Sequence, residues 1–195
     1  MIVISVICAY LLGSISSSYI AGKLSKGVDI REHGSGNAGA TNTLRVLGWK
    51  FAVVVLIADV AKGILAIALA HLLTNGQPAA MAFSGLAAII GHNWPVYFGF
   101  RGGKGVATTI GVLATLSGAP ALYAGLIAIA LLLLFRYVSF SSLVFVTLTP
   151  IFDLGLHTPG LFIWVSVIVA IMTYWRHRTN IDRLIHGREH RVLSR

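Results

Sequence analysis

The sequence predicts an all-α integral membrane protein with seven transmembrane helices, its amino terminus outside and its carboxyl terminus cytoplasmic. Three observations carry that prediction. Of 195 residues 56% are apolar and only 11% charged, the mean hydropathy is +0.84, and the apolar residues gather in runs separated by basic loops. A soluble domain carries roughly 25% charged residues, so the composition excludes a soluble enzyme, a disordered chain and a coiled coil. The formal net charge of +9 would suggest nucleic acid in a soluble protein; in a membrane protein the placement of the charge matters more. Cys8 is the single cysteine, which leaves no intramolecular disulfide and no cysteine metal cluster.

A spanning helix needs ~20 mostly apolar residues to cross a hydrocarbon core of ~30 Å. Candidates run near 2–22, 51–73, 79–99, 105–117, 119–135, 140–156 and 159–175. The first has no cation before its apolar core, so it reads as a retained helix rather than a cleaved leader. The fourth is short and the fifth begins beside Pro120; a five-span arrangement with those two re-entrant is the competing count. All of the 15 Lys and Arg except Lys62 follow spans one, three, five and seven, in loops near 23–50, 100–104 and 136–139 and in the tail 176–195. The connections after spans two, four and six carry none, and the positive-inside rule makes the basic side cytoplasmic. The whole chain, 1–195, reads as one polytopic domain. No convincing internal repeat is present, which weakens the case for a repeat-built transporter.

Polar residues gather in four places on the basic side. The first is His33 to Arg45, His-Gly-Ser-Gly-Asn-Ala-Gly-Ala-Thr-Asn-Thr-Leu-Arg. Gly36 and Gly39 let the backbone approach a ligand, consecutive amides can cradle an anion, and Ser35, Asn37, Thr41 and Asn42 add neutral hydrogen-bonding groups. Arg45 supplies a planar fork that matches phosphate oxygens. The bland alternative is a turn-rich loop. The second cluster runs from Gly91 to Thr109 and contains His92, Asn93, Arg101, Gly102, Gly103, Lys104 and Gly105. A helix beginning near Gly105 would turn its amino-terminal amides toward an anion beside Lys104. Gly105 stands where a P-loop needs Ser or Thr, so nucleotide hydrolysis gains no support. A basic turn obeying the topology rule explains Arg101 and Lys104 but leaves His92 and Asn93 unexplained.

The third group, Arg136 to Ser142, equally reads as capping serines for the sixth helix. The fourth, Arg176 to Arg183, has a lipid-attracted basic tail as its default meaning. Inside span two, Asp59 and Lys62 share one helical face, either on a proton or ion path or as a structural ion pair. No carboxylate cluster suited to Mg²⁺ lies on the basic side, so neither metal nor cofactor is expected.

Together Gly-Ser-Gly-Asn-Ala-Gly-Ala-Thr-Asn, the Gly-His-Asn-Trp-Pro to Gly-Gly-Lys-Gly-Val-Ala-Thr-Thr stretch, the serine-rich junction and His-Arg-x-Asn-Ile resemble the bacterial acyl-phosphate:glycerol-3-phosphate acyltransferase family, PlsY. The resemblance extends from Gly13 to the basic tail, with Ser16 standing where that early motif commonly has proline. It implies an inner-membrane enzyme, its site on the cytoplasmic side, moving a fatty acyl group from acyl phosphate to the 1-hydroxyl of glycerol 3-phosphate. Products are lysophosphatidic acid and phosphate, and the reaction opens phospholipid synthesis. By motif, the resemblance places Ser35, Asn37, Arg45, Lys104, Ser142, His177 and Asn180 at the substrates. A soluble acyl-phosphate-forming enzyme is a possible transient partner.

The residues fit this chemistry on their own terms. Acyl phosphate is an activated mixed anhydride, so no covalent intermediate is required, and no Gly-x-Ser-x-Gly elbow is present. The remaining tasks are to neutralise phosphate, position the hydroxyl, stabilise an oxyanion and remove a proton. Arg45 and Lys104 suit phosphate charge, while Ser35, Ser142 and Asn180 suit orientation. The base is His92, His177 or, as the resemblance suggests, the phosphate of the acyl donor. His177 and Asp182 stand at the His-x-x-x-x-Asp spacing of thioester-using acyltransferases; here that spacing reads as coincidence. An anion or phosphate-ester transporter is the competing function, disfavoured by short, cation-free outer loops.

Overall fold

The structure, a computed structural model, describes residues 1–192; Arg195, counted above among the tail cations, lies outside them. The described residues form α-helices joined by short turns, with no strand among them. The chain divides into two compact units, Met1–Thr115 and Leu116–Arg195.

In the first unit, α1 (Ile2–Gly13) and α2 (Ser17–Lys26) form one apolar stretch interrupted at Ser14–Ser16. Ser16 is extended, with φ −89° and ψ 92°, so the helix breaks here without the proline of the family motif. A break frees backbone groups that lipid cannot satisfy, and the Lys62 ammonium donates to the Ile15 carbonyl at 2.8 Å. A loop containing the single turn Ile30–Glu32 then leads to α3 (Ala40–Leu47), α4 (Trp49–Thr74) and α5 (Pro78–Asn93). A second turn, Val96–Phe98, precedes α6 (Val106–Leu116).

Packing in this unit is inverted relative to a soluble protein. On α4 the buried face is Asp59, Lys62, Gly63, Ala66, Ile67 and Ala70, while Val53, Val54, Ile57 and Leu65 are exposed. That is the pattern of a helix whose outer face meets lipid and whose inner face meets other helices through small residues. A Cβ on Gly63 would lie 2.5 Å from the Thr108 carbonyl oxygen of α6, and one on Gly111 would strike the Val60 carbonyl of α4. The two helices therefore cross backbone against backbone. Between α1 and α5, Gly13 abuts Ala88, and Gly91 abuts Tyr10 and Ser14 in the same way. The Tyr10 hydroxyl closes this contact by donating to the Trp94 carbonyl at 2.9 Å.

The second unit contains α7 (Gly118–Phe135), α8 (Val138–Gly155), α9 (Gly160–Arg176) and α10 (Arg178–Ile185). Helices α7 and α8 form an antiparallel hairpin joined by Arg136 and Tyr137. Arg136 takes the left-handed conformation that ends α7, with φ 62°, and its carbonyl accepts from the Val192 amide at 2.8 Å. The chain bends by 64° between α9 and α10.

Among the described residues four stretches are long and apolar enough to cross a membrane, namely Ile2–Lys26, α4, α7 and α8, with the bent α9–α10 pair as a fifth. The third span expected from sequence is shorter than anticipated, and the fourth is short, as expected. Helix α5 has 16 residues and α6 has 11, or about 24 Å and 16 Å at 1.5 Å per residue. The cause at α5 is local: Pro95 disfavours helix at the residue before it, and α6 begins at Val106, directly after Gly105 at φ 81°.

The glycine crossing makes a direct prediction. Gly63→Leu is expected to lower stability by about 1–3 kcal/mol through overpacking, seen as a lower unfolding temperature in detergent. Ala66→Gly, which adds no bulk to the same face, should cost about 1 kcal/mol or less by helix propensity.

Candidate functional site

The first glycine loop is held open by its own asparagine. Asn42, in the first turn of α3, donates to the Ile30 and His33 carbonyls at 2.9 and 3.0 Å and accepts from the Ser35 amide at 2.8 Å. Both amide hydrogens are thus committed inside the loop, and Asn42, expected to touch substrate, acts as its brace. Gly34 and Gly36 on either side of Ser35 have φ of 61° and 71°, a conformation glycine adopts without cost. Ser35 and Arg45 are exposed, while Asn37 and Thr41 are half-buried. Gly39 precedes α3 and its carbonyl accepts from the Thr43 hydroxyl at 3.1 Å.

The second glycine stretch wraps the end of α5. The Gly103 amide donates to the His92 carbonyl at 3.1 Å. A Cβ on Gly102 would lie 2.8 Å from the Asn93 carbonyl oxygen, one on Gly105 would lie 2.8 Å from Asn93 Oδ1, and one on Gly103 would strike both His92 Nε2 and the Ala38 carbonyl. These glycines are needed because the turn folds directly onto the helix that precedes it. Helix α6 starts at Val106, so its first amides lie immediately beyond Lys104, as the sequence anticipates. Lys104 is half-buried.

The Ala38 contact brings the two glycine loops together, and Arg31 clamps them. Its guanidinium pairs with Asp29 at 2.7 Å, donates to the Phe98 carbonyl at 2.6 Å and stacks 4.9 Å from the centre of the Tyr19 ring. Hydrogen bonds from Arg31 hold the Asp29 carboxyl down at about 2. Because that value is depressed in the folded state, the pair contributes its stability throughout the neutral range and loses it only as pH falls toward about 2. Sequence reading assigned Arg31 to membrane topology alone.

His92 lies against a charged network inside the unit. Asp59 Oδ1 accepts from the Ser17 hydroxyl at 2.9 Å and from the Lys62 ammonium at 2.8 Å, and it stands 3.8 Å from His92 Nδ1. All of these except Ser17 are buried.

In the second unit the organising residue is Glu189, which the sequence reading passed over. Its Oε1 accepts from Asn180 Nδ2 at 2.7 Å and from the Ser139 hydroxyl at 2.9 Å, and its Oε2 accepts from Arg183 Nε at 2.8 Å. Burial pushes this carboxyl up, but the three donors together hold it below the usual glutamate value. The available signal was an acidic residue in an arginine-rich tail. The buried His177 has Nδ1 at 2.9 Å from the Thr173 carbonyl. A carbonyl only accepts, so Nδ1 carries a proton. The Ser142 hydroxyl donates to the Val138 carbonyl at 2.7 Å.

Asp182 is exposed and pairs with His186 at 3.2 Å and Arg188 at 3.5 Å. His177, at the other end of the spacing shared with thioester-using enzymes, is by contrast buried. Among the described residues no three His, Cys, Asp or Glu side chains are grouped to hold a metal ion.

The Arg31 clamp is testable without turnover. Arg31→Met should loosen the Phe98–Arg101 turn and raise hydrogen exchange there by roughly fivefold, a loss of about 1 kcal/mol. Unchanged protection would remove Arg31 from this role.

Comparison with known proteins adds the chemistry. A family described as Glycerol-3-phosphate acyltransferase matches residues 3–187. The glycerol-3-phosphate acyltransferase of Shouchella clausii is 56% identical over 98% of this chain and 96% of its own length. That of Halalkalibacterium halodurans is 56% identical over 96% and 93%. A crystal structure of PlsY, an integral membrane glycerol 3-phosphate acyltransferase in its glycerol 3-phosphate form, superposes with a TM-score of 0.92 at 41% identity, covering 98% of this chain and 95% of that one. Its lysophosphatidic acid form gives 0.89 at 40% identity, over 97% and 94%. With the match running nearly end to end, the chain belongs to the glycerol-3-phosphate acyltransferase family.

Proposed function

We propose that this protein transfers a fatty acyl group from acyl phosphate to the 1-hydroxyl of glycerol 3-phosphate, releasing lysophosphatidic acid and inorganic phosphate, the opening step of phospholipid synthesis. The observation that carries the reading is the family match over residues 3–187 on a chain whose two glycine loops meet beside Lys104. Both substrates bring a phosphate and one brings a long apolar chain, which a lipid-embedded protein with a basic polar face is suited to receive.

In the proposed reaction the hydroxyl oxygen attacks the acyl carbonyl, a carbon–oxygen bond forms, and the bond to phosphate breaks. Arg45 and Lys104 neutralise phosphate charge. The backbone at Gly36, Gly39, Gly102, Gly103 and Gly105 lines the loops around it, the amides of Gly36, Gly39 and Gly103 being held by the His33, Asn37 and His92 carbonyls, with Ser35 and Asn37 presenting polar side chains. Asn42 supports this set from behind, and His92 and Asn93 set the position of the glycine turn. In the second unit His177, Asn180 and Ser142 are assigned to substrate. With Nδ1 donating to the Thr173 carbonyl, His177 has Nε2 as its other ring nitrogen, and Ser142, its proton given to Val138, offers lone pairs. The hydroxyl proton passes to the leaving phosphate, whose own oxygens are basic enough to take it.

The distribution of Lys and Arg supports a bacterial inner-membrane location with this face cytoplasmic and the amino terminus outside. Seven crossings then require α5 and α6 to cross a bilayer thinned or filled around them, since they are shorter than its core. A soluble enzyme that makes acyl phosphate would meet the protein at the same face.

Phosphate release by the purified protein in lipid, given acyl phosphate with and without glycerol 3-phosphate, tests the reading. Release should depend on glycerol 3-phosphate and fall by about 100-fold or more in Lys104→Ala, the usual loss when a group stabilising developing charge is removed. Turnover with an acyl thioester in place of acyl phosphate would overturn the donor assignment. Activity should also survive chelation of divalent metals, and its complete loss with EDTA would contradict the metal-free reaction.

A further inference from the structure

We infer that Asp59 is a positioning residue for phosphate binding, acting through His92, with Lys62 balancing its charge inside the helix bundle. The inference rests on the proposed assignment of the Gly102–Gly105 turn and Lys104 to substrate phosphate.

The geometry runs in one continuous chain within the first unit. Asp59 Oδ1 lies 2.8 Å from the Lys62 ammonium and 3.8 Å from His92 Nδ1. On the other side of the same ring, His92 Nε2 is in the space a Cβ on Gly103 would need, and the His92 carbonyl accepts from the Gly103 amide. Gly103 in turn abuts the Ala38 carbonyl of the first glycine loop. The His92 ring is therefore wedged between a fixed carboxylate and the backbone crossing of the two loops. A shift of the ring moves Gly103, and with it the residues on either side, including Lys104.

Two features separate this from an ion pair kept only for packing. Asp59 and Lys62 are 1% and 4% exposed in a stretch otherwise apolar, where exchanging a buried pair for apolar residues is often neutral or stabilising. Packing alone gives no reason to retain it. In addition, each partner has a second contact at an irregular point of the fold. Lys62 holds the Ile15 carbonyl at the α1–α2 break, and Asp59 holds Ser17 just beyond it. The carboxylate is thus fixed from two directions, by Ser17 and Lys62, as a group that must orient another requires.

The test uses the full chain in detergent and inorganic phosphate as the probe, its dissociation constant read from phosphate-dependent thermal stabilisation so that inactive variants are measurable. The compared proteins are the parent, Lys104→Ala, His92→Ala and the apolar pair Asp59→Leu/Lys62→Met. A hydrogen-bonding neutral pair, Asp59→Asn/Lys62→Gln, is carried in parallel so that a folding defect in one pair does not remove the measurement. Pair variants that unfold like the parent without phosphate should bind it about 10- to 100-fold more weakly, the scale of a misplaced contact. Adding His92→Ala should weaken binding no further. Parent-like phosphate binding in either folded pair, or losses that multiply when His92→Ala is added, overturns the inference. An unchanged constant in Lys104→Ala, or no stabilisation of the parent, would instead overturn the phosphate assignment beneath it.

Discussion

The Lys62 ammonium, placed between the Asp59 carboxylate and the Ile15 carbonyl, satisfies two demands that lipid makes at once. A broken helix leaves backbone groups without partners, and a buried cation needs an anion; neither can turn to water. One side chain resolves both by reaching from α4 to the α1–α2 break. The bend then places Ser17 and Tyr19 where they meet Asp59 and Arg31, and through Arg31 the loop that carries Ser35 is joined to the turn that carries Lys104. The polar end of the first unit is in this sense built outward from a defect in its first helix.

Glycine makes the rest of that unit possible for a reason other than loop flexibility. At Gly13, Gly63, Gly91 and Gly111 the missing side chain lets helix backbones touch, and association in lipid depends on such contact because apolar side chains gain little by leaving lipid for one another. The same device is used at Gly102, Gly103 and Gly105, where the surface approached is the end of α5. A loop that looks from its composition like an adaptable anion cradle is a turn pressed against His92 and Asn93. Its geometry is fixed by that contact, the condition under which placed groups need no reorganisation as charge develops.

Much of this was legible in sequence, and the exceptions have physical causes. Hydropathy and charge placement located the apolar helices, and the family resemblance singled out Ser35, Arg45, Lys104, His177 and Asn180 as the polar residues to examine. The length of α5 was overestimated because an apolar run continues through Trp94–Phe100 while the backbone, stopped at Pro95, does not. Asn42 was grouped with ligand-binding residues because composition cannot tell a side chain that faces outward from one that braces its own loop. Glu189 and Arg31 escaped because one partner of each is remote in sequence: Ser139 is 50 residues from Glu189, and the Phe98 carbonyl 67 from Arg31. Pairings at that separation exist only once the fold has formed.

The chemistry explains why so many of the polar residues are occupied with one another. A reaction that begins from a mixed anhydride has its leaving group already activated, so the protein needs no nucleophile and gains most by holding charges and dipoles still. Stillness in a membrane protein comes from buried polar networks whose members are all satisfied. The Glu189 hub, with Asn180, Ser139 and Arg183 as donors, fixes the orientation of Asn180 in one unit, as Asn42 fixes the Ser35 loop in the other. In both units a residue assigned to substrate is one bond away from a residue that only positions it. Removing the positioning partner would leave the chemistry's functional groups present but mobile, and a group that must be ordered afresh on each encounter contributes far less to rate than one already in place.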